Sequence, residues 1–279
     1  MFNLNIECAW QLDIRDFYPH IPHLSACSRQ HNTMALEFKF VREKNFNVYS
    51  GPSDYRIGVD EKSQIIEDIP HFIYYVLRKK WLQNYLYPVH CLSYRQSLII
   101  GSSGSGKTQL ALELERLGQR VNGYNRSVVQ VQNSYLQTLA ATNYISVRHN
   151  AQCALSPALD CQDYELLQIK NGRALYLNRN YEYTYRVIDS IYFLLTDNLA
   201  FRCEELGSGA ALHSAVNYFL DTDKSIITLD SGQWSESAMP GRVETNSLVQ
   251  PLAQVLKNIK ARKLMGKTRD IALYLKENL

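Results

Sequence analysis

Apolar and charged residues alternate through Leu36-Glu37-Phe38-Lys39-Phe40, the two-residue period of a strand buried on one face. Gly51-Pro52-Ser53-Asp54 is a turn signal, and Tyr55-Arg56-Ile57-Gly58-Val59 is the return strand. The period then lengthens. Ile69, Phe72, Ile73, Val76, Leu77 and Trp81 share one face of a helix, with Pro70 in the first turn, where a missing N–H is harmless. Residues 87–94 read as a strand forming a hairpin across Arg95 with the apolar segment 96–100. Residues 109–117 are rich in helix formers and stop at Gly118. Short strands are expected at 119–121 and 127–131, and no clear period runs through 150–185. Residues 186–195 are the most apolar run that remains and predict one buried strand. A helix opens at Gly207-Ser208-Gly209 and runs to Leu220, 221–245 read as loop, and helical patterns at 248–259 and 270–279 close the chain. The pattern is that of an α/β protein: a small β-rich N-terminal module over 1–85, ending in the amphipathic helix, and a second unit over 86–279.

Composition narrows the classes of function. The 279 residues are 46% hydrophobic and 20% charged, an ordinary globular balance, and a formal charge of +3 is too small to argue for a nucleic-acid partner. No apolar run approaches the ~18 residues of a membrane span. Glu7, Asp13 and Asp16 leave no basic-then-apolar leader near the N-terminus, so the cytoplasm is the expected compartment. Six cysteines (Cys8, Cys27, Cys91, Cys153, Cys161, Cys203) are scattered without a C-x-x-C pair, which fits reduced thiols.

One stretch carries chemistry. Gly101-Ser102-Ser103-Gly104-Ser105-Gly106-Lys107-Thr108 fits G-x-x-x-x-G-K-[ST], the phosphate-binding loop of nucleotide-using proteins, between an expected strand and an expected helix. Glycines let the backbone curl so that several N–H groups face one anion, and the following helix adds its positive end. Lys107 is expected to reach the outer phosphates of ATP, and the Thr108 hydroxyl to bind Mg²⁺. A guanine-reading N-K-x-D stretch is absent, which argues against a GTPase.

From His90 onward the chain resembles the HPr kinase/phosphorylase family and its peptide- or small-molecule-modifying relatives. The resemblance rests on His90 about ten residues before the loop, on Leu117-Gly118-Gln119-Arg120-Val121 after the helix, and on Glu205-Leu206-Gly207-Ser208-Gly209. It implies a P-loop core like the HPr kinase catalytic domain. It also implies an ATP- and Mg²⁺-dependent transfer of phosphate to a hydroxyl of a peptide, protein or small metabolite, and it leaves an oligomer open. The family carries two adjacent aspartates and an arginine where this chain reads Gly123-Tyr124-Asn125-Arg126; the arginine is kept and both acids are missing. A second family stretch falls at Ser146-Val147-Arg148-His149, again with the arginine and without the acid. The resemblance therefore names His90, Lys107, Asn125, Arg126 and Arg148 as catalytic candidates. Asn125 can orient a hydroxyl but cannot take its proton. Asp160, Asp163, Glu165 and Asp189 are available as substitute carboxylates. The alternative is a degenerate kinase-type scaffold that binds a nucleotide without turning it over.

Other residues weigh less. His20, His23, Cys27 and His31 could surround zinc, but their spacing fits no finger pattern and a polar surface segment is the plainer reading. His213 and Asn217 share a helix face as packing or capping residues. Lys257, Lys260, Arg262, Lys263, Lys267 and Arg269 read as a solvated basic face.

Overall fold

A computed structural model describes residues 2–8, 34–42, 47–51, 53–59, 69–132, 134–148, 164–170, 172–179, 185–197, 200–220 and 242–279. The fold is mixed α/β, with several sheets and five helices among the described residues.

The N-terminal sheet has the order β1 (Phe2–Cys8), β2 (Met34–Arg42), β4 (Asp54–Val59), β3 (Asn47–Ser50). The alternation in β2 is realised: Leu36, Phe38 and Phe40 are buried while Glu37 and Lys39 are exposed. β4 returns antiparallel to β3 and runs parallel to β2. Helix α1 (Ile69–Gln83) buries the predicted stripe Phe72, Ile73, Val76, Leu77 and Trp81. The Phe72 ring meets Phe38 and Phe40 edge-on, at centroid distances of 6.4 and 6.2 Å. The same helix also packs against residues beyond 85. Leu82 joins a core with Tyr87 and Val89, and the buried Arg78 guanidinium donates to the carbonyl of Leu220.

The next elements are β5 (Leu86–Val89), β6 (Cys91–Tyr94), β7 (Ser97–Ile100), α2 (Lys107–Arg116), β8 (Ser127–Gln132), β9 (Tyr135–Ala141), β10 (Tyr144–Arg148), β11 (Tyr164–Lys170) and β12 (Arg173–Asn178). They are followed by β13 (Arg186–Ile188), β14 (Ser190–Thr196), β15 (Arg202–Glu205), α3 (Ser208–Phe219), α4 (Arg242–Leu256), β16 (Lys260–Gly266) and α5 (Thr268–Asn278). The sheet that carries the candidate site has the order β15-β16-β14-β7-β6, with β7, β14 and β16 mutually parallel and antiparallel strands at both edges. It lies between two helical layers, as parallel strands with apolar residues on both faces require. Leu92, Ile99, Tyr192, Leu194 and Leu264 pack with residues of α2 and α5, including Leu110, Leu114, Ile271 and Leu275. Cys91, Leu98, Ile100 and Ile191 pack on the other side with Phe219, Leu252, Val255 and Leu256. A third sheet, β13-β9-β8-β5, is antiparallel throughout, and β10-β12-β11 form a fourth.

Several expectations are corrected. The predicted strand over 87–94 breaks at His90: β5 joins the antiparallel sheet and β6 the central one. The run over 186–195 breaks in the same way at Asp189, between β13 and β14. The run does not show the change of sheet, because the residues flanking each break, Val89 and Cys91, Ile188 and Ser190, are all buried. No strand forms at 119–121; the chain instead bonds along the edge of β6 a few residues later, Ser93 N–H to Gly123 O at 2.8 Å and Cys91 N–H to Asn125 O at 3.1 Å. The helix expected from 248 starts at Arg242 and ends at Leu256, and part of the expected basic face is β16, whose Ala261 and Leu264 are buried. Arg262 on that strand pairs with Glu205 at 3.0 Å.

Candidate functional site

The segment 101–108 links the carboxyl end of β7 to the start of α2, the strand–loop–helix order expected of it. Gly104 and Gly106 take φ of +87° and +89°, backbone that L side chains rarely adopt. A Cβ on Gly106 would also lie 2.6 Å from Thr196 Cγ2. Thr196 ends β14, three residues beyond the pairing of Phe193 with Ile100, and its hydroxyl donates to the carbonyl of Ser105 at 3.0 Å. The neighbouring parallel strand thus clamps the loop from the side.

Lys107 opens α2 but turns back on the loop. Its ammonium donates to the carbonyls of Gly101 at 2.5 Å and Ser102 at 3.0 Å, with Ser105 Oγ at 3.4 Å. The residue is 7% exposed, and desolvation pushes its pKa down to about 8. Its titratable neighbour is the Cys91 thiol, which burial pushes up to about 11. The N-cap residue Gly106 offers no side-chain hydrogen bond, so the positive end of α2 is left for another group. Thr108 follows, half-buried, in the first turn; Ser102 and Ser103 are exposed.

His90 stands beside this loop. Cys91 pairs with Ile100, so the register continued by one residue places His90 opposite Gly101. His90 Nε2 lies 2.5 Å from Asn125 Oδ1. Asn125 is held on three sides: by His90 through its side chain, by Cys91 N–H on its carbonyl, and by Thr142 Oγ1, which accepts from its N–H at 3.0 Å. Thr142 Oγ1 also accepts from the N–H of Arg126, and Thr142 N–H donates to Arg126 O at 2.9 Å. The Arg126 side chain is buried and its guanidinium lies 3.9 Å from the centre of the Tyr74 ring in α1. Tyr124 turns the other way. Its hydroxyl and that of Tyr164 both donate to the carboxylate of Glu115 in the last turn of α2, while Asn178 Nδ2 donates to the Tyr124 oxygen at 2.6 Å. Burial and the Glu115 charge hold both phenols well above their usual range. Gly123 fits because a Cβ there would sit 2.5 Å from that of Ala141.

Lys107, His90 and Asn125 therefore come together at the carboxyl edge of β7, and Arg126 leans from there toward α1. Arg148 closes β10 at an exposed position opposite Arg173, outside this bonded group. Among the substitute carboxylates, Asp189 precedes β14 while Thr196 at its far end touches the loop; seven strand residues put it about 23 Å away. Glu165 is paired with Arg179 at 3.1 Å on the three-stranded sheet. Asp160, Asp163, His20, His23, Cys27 and His31 lie outside the described residues. His213 and Asn217 are both exposed on α3.

Asp197 is a residue that the sequence pattern does not single out. It follows Thr196 directly, is half-buried, and has its N–H fixed by Gly266 O at 3.1 Å. The signal is an apolar run that ends in Thr-Asp, and hydrophobicity alone stops the strand at 195. Among the described residues no three His, Cys, Asp or Glu side chains gather as a metal site, and no helix is long and apolar enough to cross a membrane. No family model matches this sequence, and no curated protein matches it significantly.

Proposed function

We propose that the chain is an ATP- and Mg²⁺-dependent phosphotransferase acting on a hydroxyl of a peptide, protein or small metabolite in the cytoplasm, with a P-loop core that resembles the HPr kinase catalytic domain. The observation that carries this reading is Lys107: a buried ammonium held by loop carbonyls, at an uncapped helix N-terminus, in a glycine loop clamped by Thr196. A cation kept at such a desolvation cost suits an anionic ligand. The residues present fit ATP and Mg²⁺. Gly104 leaves open space at the loop's crest, Lys107 would contact the outer phosphates, and Thr108 with Asp197 would hold the metal. Mg²⁺, when bound, neutralises charge on the phosphates. His90 and Asn125, already hydrogen-bonded beside Gly101, would orient the acceptor hydroxyl. Arg126 reaches the phosphates only by leaving Tyr74. Turnover of ATP by the wild type and not by Lys107→Ala tests the reading; equal activity in the two rejects it.

A second reading, the nucleotide-binding scaffold, draws on a specific observation. Both positions where relatives would carry acids are committed elsewhere, Tyr124 to Glu115 and Asn125 to His90. That reading expects nucleotide-dependent thermal stabilisation, about 2.7 kcal/mol at a hundred times the dissociation constant, without turnover.

A further inference from the structure

β10 and β12 run antiparallel with Arg148 opposite Arg173, and Lys170 of β11 stands opposite Arg173 on its other side. Three basic positions thus form one row across the three-stranded sheet, at the end away from Tyr164 and its bond to Glu115. The next row inward, Val147 with Ala174, packs into the core containing α2. Alternation therefore sends Arg148 and Arg173 to the opposite face. Both are exposed, and among the described residues neither has an acidic partner; the ion pair on this sheet, Arg179 with Glu165, lies at its other end. In sequence, 144–150 and 166–179 contain no Asp or Glu.

Like charges directly opposite on an antiparallel ladder sit about 5 Å apart at Cβ and destabilise the pair. Side by side, two guanidinium groups present planar forks of N–H donors that match the oxygens of a carboxylate or phosphate, and an anion between them turns the repulsion into two attractions.

The geometry points to Arg148 and Arg173 as a clamp for an oxyanion, a carboxylate or phosphate group carried by a ligand of this protein, separate from the 101–108 loop. The clamp goes beyond the phosphotransferase reading and stands whether or not that reading holds.

The test uses the full chain as wild type, Lys107→Ala, Arg148→Gln, Arg173→Gln and the double arginine variant. Melting temperature is followed with inorganic phosphate or sodium acetate, against chloride at matched ionic strength. At low salt without these anions, each single arginine variant melts about 1–2 °C higher than the wild type, and the double variant gains little more, because the repulsion is shared. Phosphate raises the melting temperature of the wild type and of Lys107→Ala, and the rise is at least halved in each arginine variant. A rise reproduced by acetate identifies a carboxylate ligand, and one confined to phosphate a phosphate ligand. A phosphate effect lost in Lys107→Ala and kept in the double arginine variant overturns the clamp. So does a fall in melting temperature in both single variants, or no response to either anion.

Discussion

Lys107 donates a 2.5 Å hydrogen bond to the carbonyl of Gly101, six residues back, and so closes the loop that it ends. An anion entering the loop must draw that ammonium off its carbonyls, and only the charged form rewards the exchange. Burial lowers the pKa from an ordinary 10.5 to about 8. Between those values the unfolded chain binds the extra proton, so this group makes stability rise with pH across the window; the burial penalty is present in full below about pH 8. Ligand binding has the opposite sign. Above pH 8 it takes up a proton, and this group is expected to lower ATP affinity up to about tenfold per pH unit, while below pH 7 it adds no slope. Calorimetry in two buffers of different ionisation heat reads the proton directly. Lys107→Arg keeps its charge and should lose the slope; a slope that persists there belongs to another group.

Gly104 and Gly106 separate backbone strain from crowding. Gly104 has positive φ and open space where a methyl group would sit, whereas Gly106 has positive φ and Thr196 Cγ2 at 2.6 Å from that point. Gly104→Ala should cost about 1–2 kcal/mol, and Gly106→Ala roughly 3, in urea unfolding. Thr196→Ala should recover part of the second cost and none of the first.

Asn125 meets His90 at 2.5 Å where a carboxylate would be a base. If the pair orients an acceptor, Asn125→Ala should lower turnover about 10²-fold or more with ATP affinity nearly unchanged. Asn125→Asp should retain or raise turnover. Steady-state kinetics alongside ATP titration decides it; a parallel loss of affinity in Asn125→Ala would make the residue a structural part of the loop's wall.

Arg126 and Tyr74 tie α1 to the site, the guanidinium 3.9 Å from the ring centre. Tyr74→Leu should cost about 1–2 kcal/mol of stability, with Tyr74→Phe, which keeps the ring face, costing less. Equal costs would mean that the hydroxyl, lost in both variants, rather than the ring under the guanidinium, holds the helix.

The legible parts of this protein are those that a few neighbouring residues specify. The stripe of α1 and the alternation in β2 follow from helix and strand periods, and the 101–108 turn follows from glycines that alone tolerate its φ. Those signals are local, so the sequence by itself determined the α/β character, the loop and the helix after it. Tertiary structure decided which sheet each apolar run joins. It broke two runs at His90 and Asp189, made β16 from a basic segment, and brought Thr196 beside a loop about ninety residues away in the chain. It also gave adjacent residues opposite partners, Tyr124 to Glu115 and Asn125 to His90. These outcomes depend on long-range register and on which faces can be buried together, quantities that no short window of the chain contains.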